Sequence, residues 1–373
     1  MRKIAFYIGN LDKGGAQRVV TNLANYFYKE GYEVLLVTFY RGEIEFPYDE
    51  GIKRILSNLT EEELAQTKGK PFRRILNFKK RIGKLRGIWE EERPDIIVSF
   101  LRKNNYYAIW STRGLQIPVV LSVRSDPNRE YKGKLNTFLA KHLFQKADGL
   151  VLQTQDAYGF FPKKVQEHAV IIQNSLNPKF IRERYTGIRR DEIVAVGTID
   201  DNKNHTMLID AFIPVHERYP QMKLIIYGDG CRRSDLEEKV RRLGLEKAVL
   251  FPGRSDTIYE QIHASRIYVL SSKVEGMPNA LIEAMALGLA VISTDCPCGG
   301  PRMLIQEGIN GLLVPVDDRQ AMTDAILKIL DDPELEEALG REAHKLIEKV
   351  HPDKVNKEWE NYLSGLADER KNG

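Results

Sequence analysis

Residues 271–292 read SSKVEGMPNALIEAMALGLAVI, and two carboxylates stand in an otherwise apolar stretch, Glu275 before a glycine and Glu283 eight residues later. Burying a lone carboxylate is costly unless something pairs with it. IYVLSS, just upstream, has the composition of a strand, KVEGM that of a loop, and Pro278 suits the first turn of a helix closing near Gly288. Glu275 is therefore expected in the mouth of a strand-to-helix loop, and Glu283 one to two turns into the helix. The free N–H groups of such a first turn favour an anionic or polar ligand. Carboxylates that only accept hydrogen bonds suit hydroxyl-rich partners such as a sugar and a ribose. A solvated loop acid and a helix-surface charge are the plainer alternatives for the same two residues.

Other stretches offer cations and anion cradles. Gly14 and Gly15 follow the first strand-like run and open a helix, where a backbone can approach a ligand closely; a tight turn explains them equally well. SVRSDPNREY places Arg124 and Asp126 at the carboxyl end of another strand-like run, overlooking a cleft or forming a salt-bridged turn before Pro127. Neither G-x-G-x-x-G nor a Walker motif occurs, which weighs against hydride transfer and ATP hydrolysis. No Asp-x-Asp triplet occurs, and Cys231, Cys296 and Cys298 lack metal-type spacing, so no metal site is expected and the cysteines are read as reduced and structural. The seven histidines are scattered, and His205 is expected to cap or pack.

The elements that position these residues alternate along all 373 residues, more than one hydrophobic core usually supports. KIAFYI, EVLLVTF, DIIVSF, PVVLSV, GLVLQT and AVIIQN are nearly continuous apolar runs, as expected for parallel strands covered on both faces. NSLNPKFIRERYTGIRRDE breaks the pattern, and EIVAVG, KLIIYG, AVLFPG, IYVLSS, AVISTD and GLLVPV restart it. The expected organisation is an N-terminal Rossmann-like domain over 1–175, a linker over 176–190, a second such domain over 191–350, and a C-terminal helix and tail over 351–373. MRKIAFYIGN reads as a first strand rather than a signal peptide, and no apolar run approaches membrane-spanning length. The net charge of +4 conceals a division: residues 1–190 carry 34 Lys/Arg against 20 Asp/Glu, whereas 191–373 carry 22 against 32. Only the first half is expected to meet an anionic surface.

VEGMPNALIEAMALGLAVISTDCPCGGPRMLIQEGINGLLVPVDD resembles the signature of the retaining GT-B glycosyltransferases of the group-one type: a Glu, seven residues and a second Glu in a Gly-Pro-rich loop and helix. LDKGGAQRVVTNLA, VGTIDDNKNHTMLIDAF, IIYGDGCRRSDLE and FPGRSDTIYEQIHAS follow the same family's order. The resemblance implies two facing Rossmann-like domains, with the C-terminal helix crossing back to the first. It implies that Glu275 contacts the donor sugar and Glu283 the nucleotide ribose. Gly276, Met277 and Asn279 would offer main-chain contacts, with Gly14, Gly15, Thr198 and Arg254 also on the donor. Lys203 matches the lysine that clamps the donor diphosphate, so Lys203 and Glu275 are the implied catalytic pair. Thr198 stands where the family has arginine, a lost cation that Arg124 or Arg232 could replace. The implied activity is transfer of a hexosyl or N-acetylhexosaminyl group from a nucleotide-diphosphate sugar, UDP-linked, without metal or other cofactor. A non-hydrolysing sugar-nucleotide epimerase and a catalytically silent protein binding a glycan or a partner transferase are the alternatives.

Residues 68–86 hold nine Lys/Arg and no acid. Phe72, Ile75, Phe78, Ile82, Leu85 and Trp89 recur at spacings of three and four, predicting one apolar and one basic helical face. Arg73, Arg74, Lys79, Lys80, Arg81 and Lys84 are expected to face an anionic membrane or a membrane-borne acceptor. A surface helix with solvated lysines is the plainer reading, and nucleic acid is disfavoured because its binding motifs are missing. The resemblance implies a lipid-linked or other saccharide acceptor, and hence a cytoplasmic protein held peripherally at the inner face of the cell membrane.

Overall fold

The structure is a computed structural model describing residues 1–12 and 14–372. The tail expected at Gly373 lies outside the described residues. The chain divides into two compact units: residues 1–173 with the segment from Val355 onward, and Asn174–Lys354.

The first unit is built on a parallel sheet of β1 (Lys3–Ile8), β2 (Glu33–Thr38), β3 (Lys53–Leu56), β4 (Ile96–Phe100), β5 (Val119–Ser122), β6 (Gly149–Leu152) and β7 (Ala169–Ile171). Its order is β3-β2-β1-β4-β5-β6-β7. The central strands are apolar throughout because helices cover both faces; Ile4, Phe6, Ile8, Val98 and Phe100 are fully buried. β3, with sequence KRIL, has no counterpart among the expected strands. It lies at the sheet edge, where half-exposed charges are tolerated and blunt further pairing.

The C-terminal helix Pro352–Asn372 belongs, from Val355 on, to this first unit. Trp359 is fully buried and stacks on Phe100 at 6.1 Å between ring centroids. Glu360 accepts hydrogen bonds from Tyr26 Oη at 2.9 Å and Tyr32 Oη at 2.8 Å. Tyr362 Oη donates to the His168 carbonyl at 2.8 Å.

The second unit repeats the pattern with β8 (Arg190–Val196), β9 (Lys223–Tyr227), β10 (Val249–Gly253), β11 (Ser265–Leu270), β12 (Ala290–Thr294) and β13 (Leu312–Val314). All are parallel, in the order β10-β9-β8-β11-β12-β13. Both sheets are Rossmann-like, with strand order reversing at β1/β4 and at β8/β11. Ligands bind at such reversals, outside the carboxyl ends of the strands. The segment 176–190, expected as a linker, packs into the second unit. Leu176 and Phe180 are buried in its core, and Arg189 donates to the carbonyls of Ser265 and Gly288, both at 2.8 Å.

Candidate active site

The residues singled out in the second half follow directly on strand ends. Thr198 lies after β8, Arg232 after β9, Arg254 after β10 and Glu275 after β11. The loop after β8 is shaped by an Asp200 carboxylate that accepts from the backbone N–H of Asn202 at 3.0 Å and of Lys203 at 2.9 Å. This is the turn-forming habit of Asp. Asn204 then takes the left-handed conformation, φ 53°, which Asn tolerates, and opens the helix His205–Arg218.

That loop is fastened to the loop after β11. Asn202 Nδ2 donates to the Val274 carbonyl at 2.9 Å, the Lys273 N–H to the Asn202 carbonyl at 2.7 Å, and Ser271 Oγ to the Lys203 carbonyl at 2.7 Å. The outcome is a close ion pair, Lys203 Nζ to Glu275 Oε1 at 2.7 Å, with side chains only 20% and 14% exposed. At that burial water screens the pair less than it would at the open surface. Sequence reading found both residues; the structure brings them together.

Glu275 is held from the other side as well. Its N–H donates to the Pro297 carbonyl at 2.7 Å, and its carbonyl accepts from the Cys298 N–H at 2.9 Å. The loop after β12 can come this close because Gly300 has no side chain: a Cβ there would overlap the Gly276 carbonyl oxygen. Gly228, in the left-handed region at φ 137°, similarly lets the loop after β9 approach the Gly197 carbonyl. Gly228 and Gly300, with Asp200, Asn202 and Ser271, are positioning residues that sequence reading passed over. The CGGP and DDNKN stretches carried the signal as turn composition, without saying what the turns approach.

The helix Asn279–Ala286 begins at Pro278 with no side-chain cap, leaving first-turn N–H groups at Asn279 and Ala280 for a ligand or water. Met277 is buried, and its carbonyl accepts from Asn174 Nδ2 at 3.0 Å. Glu283 is 8% exposed, which rules out the helix-surface charge considered above. The nearby Tyr268 phenol stays protonated, raised well above its ordinary range by burial and by the charges of Glu275 and Glu283. Burial, with Glu275 close by, pushes the Cys296 thiol up to about 12, so it is neither a thiolate nucleophile nor a ready metal ligand. His205 is buried and lowered to about 4 by desolvation, then by Lys203, so it packs as a neutral ring.

The remaining expected contacts are less concentrated. Thr198 and Arg254 are exposed. Arg232 is engaged by Asp201 at 3.2 Å and Asp235 at 2.7 Å, which argues against a free guanidinium waiting for phosphate. In the first unit, Asp126 is the cap of the short helix Pro127–Glu130, accepting from the Asn128 N–H at 2.9 Å. Burial lowers Arg124 to about 9. Gly14 and Gly15 open the helix Gly15–Lys29, again without a side-chain cap.

The chain matches two family models in succession, Glycosyltransferase Family 4 over residues 13–180 and Glycosyl transferases group 1 over residues 182–346. The chain belongs to the group-one glycosyltransferases of the GT-B fold. It is 29% identical over 368 residues to a Campylobacter jejuni GalNAc-alpha-(1->4)-GalNAc-alpha-(1->3)-diNAcBac-PP-undecaprenol alpha-1,4-N-acetyl-D-galactosaminyltransferase, covering 96% of this chain and 97% of that one. It is 27% identical to a second C. jejuni protein, an N-acetylgalactosamine-N,N'-diacetylbacillosaminyl-diphospho-undecaprenol 4-alpha-N-acetylgalactosaminyltransferase, covering 98% and 100%. The fold of this glycosyltransferase superposes on Anabaena HepE, crystallised in complex with UDP, with a TM-score of 0.83 at 19% identity over 98% and 100% of the two chains.

Proposed function

We propose that this glycosyltransferase is retaining, and moves a hexosyl or N-acetylhexosaminyl group from a UDP-sugar to a lipid-linked saccharide without a metal at the diphosphate. The observation that carries the reading is the Lys203–Glu275 pair, held between three strand-end loops beside an uncapped helix N-terminus. A buried carboxylate alone would repel a diphosphate; Lys203 offsets that charge and presents an ammonium where leaving-group charge develops. Thr198 supplies no cation and Arg232 is engaged by two carboxylates, so Lys203 carries more of this task than in relatives with an arginine. Glu275 takes hydroxyls of the donor sugar and Glu283 those of the ribose. The sugar C1–O bond to the phosphate breaks as the acceptor oxygen bonds C1 on the same face. The acceptor's proton passes to the departing phosphate oxygen, so neither glutamate acts as a nucleophile.

The acceptors named for the two C. jejuni relatives are undecaprenyl-diphosphate saccharides, which supports a membrane-borne acceptor. The first unit has a surface suited to it. In the helix Arg73–Glu92, Leu85 and Trp89 are buried, whereas Phe72 is 77% and Ile75 53% exposed. The expected apolar face thus docks on the domain from Phe78 onward, where that ring meets Tyr107 and Trp110 at 5.3 and 5.0 Å. Arg73, Arg74 and Lys79 are exposed beside it; Lys80 and Lys84 are tied to Gln66 and Glu63, and Arg81 turns inward over Phe39. The helix Lys134–Leu143 adds exposed Leu135 and Phe138. Bulky apolar side chains among lysines and arginines suit an anionic lipid interface. Among the described residues no helix is long and apolar enough to cross a membrane. On this proposal the protein works peripherally, at the cytoplasmic face of the membrane that carries its acceptor.

The test is a panel of UDP-hexoses and UDP-N-acetylhexosamines offered with a prenyl-diphosphate saccharide, following UDP release and the anomeric configuration of the product by NMR. Acceptor-dependent release with retained configuration is expected. Inversion would overturn the mechanism, and an epimerised sugar nucleotide formed from donor alone would replace transfer by epimerisation.

A further inference from the structure

The helices His205–Arg218 and Arg319–Asp331 pack against each other, joined by a bond from Thr323 Oγ1 to the Ala211 carbonyl at 3.0 Å. They follow β8 and β13, and each is preceded by a residue of uncommon backbone: Asn204 has φ 53° and Asp317 φ 59°. Among the described residues these are the two non-glycine residues of the second unit in the left-handed region. They are also bonded to each other, Asn204 Nδ2 donating to Asp317 Oδ1 at 2.7 Å. Left-handed backbone costs an L-residue energy that its surroundings must offset, and Asn and Asp bear it best. Asp318, next in the chain, is committed as its helix cap, accepting from the Ala321 N–H at 2.9 Å. The reach to the loop after β8 therefore falls to Asp317.

This latch closes a ring of loops around the ion pair. The loop after β8 is fastened to that after β11, and Glu275 fastens the latter to the loop after β12. Just past β12, the Asp295 N–H donates to the Val314 carbonyl of β13 at 2.7 Å, and Lys273 Nζ lies 3.8 Å from Asp317. Asn204 is 8% exposed and directly follows Lys203, so the latch acts on the backbone that carries the lysine. In the empty site Glu275 holds the Lys203 side chain at 2.7 Å. Once Glu275 turns to a sugar hydroxyl that restraint is gone, and only its loop aims the lysine.

Resting on the reading of Lys203 as the cation of the donor diphosphate, we infer that Asp317 is a positioning residue for it, acting through Asn204. The latch fixes the loop after β8, so the ammonium meets the diphosphate without being ordered by it. Charge held in place before binding gives more than charge the ligand must order. None of the donor contacts assigned above includes Asp317.

Calorimetry on the full chain tests this with UDP, the leaving group itself, as the probe. Asp317→Gly removes the carboxylate while suiting φ 59°, so the melting temperature should stay close to that of the wild type. UDP should bind this variant about three- to tenfold more weakly, the effect of one hydrogen bond. In a Lys203→Ala background the same substitution should change UDP affinity less than about twofold, because the group it positions is gone. Asn204→Gly also keeps the left-handed turn and should match Asp317→Gly, with no further loss when the two are combined. Asp317→Asn keeps an acceptor oxygen and a tolerance for the turn, and should bind UDP as the wild type does. Wild-type affinity in Asp317→Gly overturns the inference. So does an equal loss with and without Lys203, which a general disturbance of the site would give, or a failure of Asp317→Asn to restore binding. If Lys203→Ala itself binds UDP like the wild type, the donor reading falls instead, and the latch has no cation to aim.

Discussion

The two sheets share one strand order around their first strands, but their reversals carry charge in opposite ways. At β8/β11 the cation and the carboxylate are on each other, Lys203 to Glu275 at 2.7 Å, and three loops are fastened around them. At β1/β4 four cations line an open cavity with a single carboxylate, and Arg102 among them bonds a main-chain carbonyl. The halves of the sequence differ in the same sense, 34 Lys/Arg against 20 Asp/Glu before residue 191 and 22 against 32 after it. A site whose cation and carboxylate are paired when empty can take a ligand whose phosphates turn to the ammonium and whose hydroxyls turn to the carboxylate. A site that is cationic when empty selects a ligand for its negative charge. The shared topology provides the crevice, and side chains on the strand-end loops decide what enters it.

The first unit's frame rests on its own core, to which the C-terminal helix contributes Val355, Trp359 and Leu363. Trp359→Ala removes a fully buried indole from that core and should cost about 3–5 kcal/mol there. Hydrogen exchange at the β1 and β4 amides would report it, while UDP affinity in the second unit stays within twofold. A loss of UDP affinity equal to the loss of protection would mean the two reversals are not separately supported. Next in size, Lys203→Ala should lower turnover roughly a hundredfold, as removal of one charge-stabilising group commonly does. UDP release within a few-fold of wild type would show that the ion pair at β8/β11 serves stability alone. Gly300→Ala forces a Cβ onto the Gly276 carbonyl and should destabilise by about 1–3 kcal/mol, with donor affinity falling as the Glu275 loop is displaced. An unchanged melting temperature together with unchanged donor affinity would show that the loop after β12 does not set the site.

How much of this was legible beforehand follows from physical range. The strands of both sheets announce themselves because burial on two faces makes them continuous apolar runs; KRIL did not, since an edge strand needs no such run. Glu275, Glu283 and Lys203 were visible as residue types in a family context, but Lys203 and Glu275 stand 72 residues apart, and no local pattern encodes their pairing. Arg81, Arg102 and Arg129 come from three separate elements, so their convergence in one cavity is a property of topology alone. The segment 176–190 looked like a linker because it is polar and broken; Leu176 and Phe180, the two residues that pack it down, are too few to show as a period.

Helical periodicity likewise grouped Phe72 and Ile75 with Trp89, but period says which residues share a face, not what covers each part of it. That gap leads to the smallest predicted effect. Phe72→Ser with Ile75→Ser removes apolar surface that is exposed and bonded to nothing inside the domain, so folding should be unaffected. Partition onto anionic vesicles should fall about three- to tenfold, since each side chain enters an interface only partly and less than the full burial value applies. Neutralising Arg73, Arg74 and Lys79 instead should abolish the preference for anionic over neutral vesicles, at on the order of 1 kcal/mol per residue. Co-sedimentation separates the two contributions: an apolar loss reads equally on both vesicle types, a charge loss on one. If neither set of substitutions shifts partition, the exposed half of the helix is not a membrane contact.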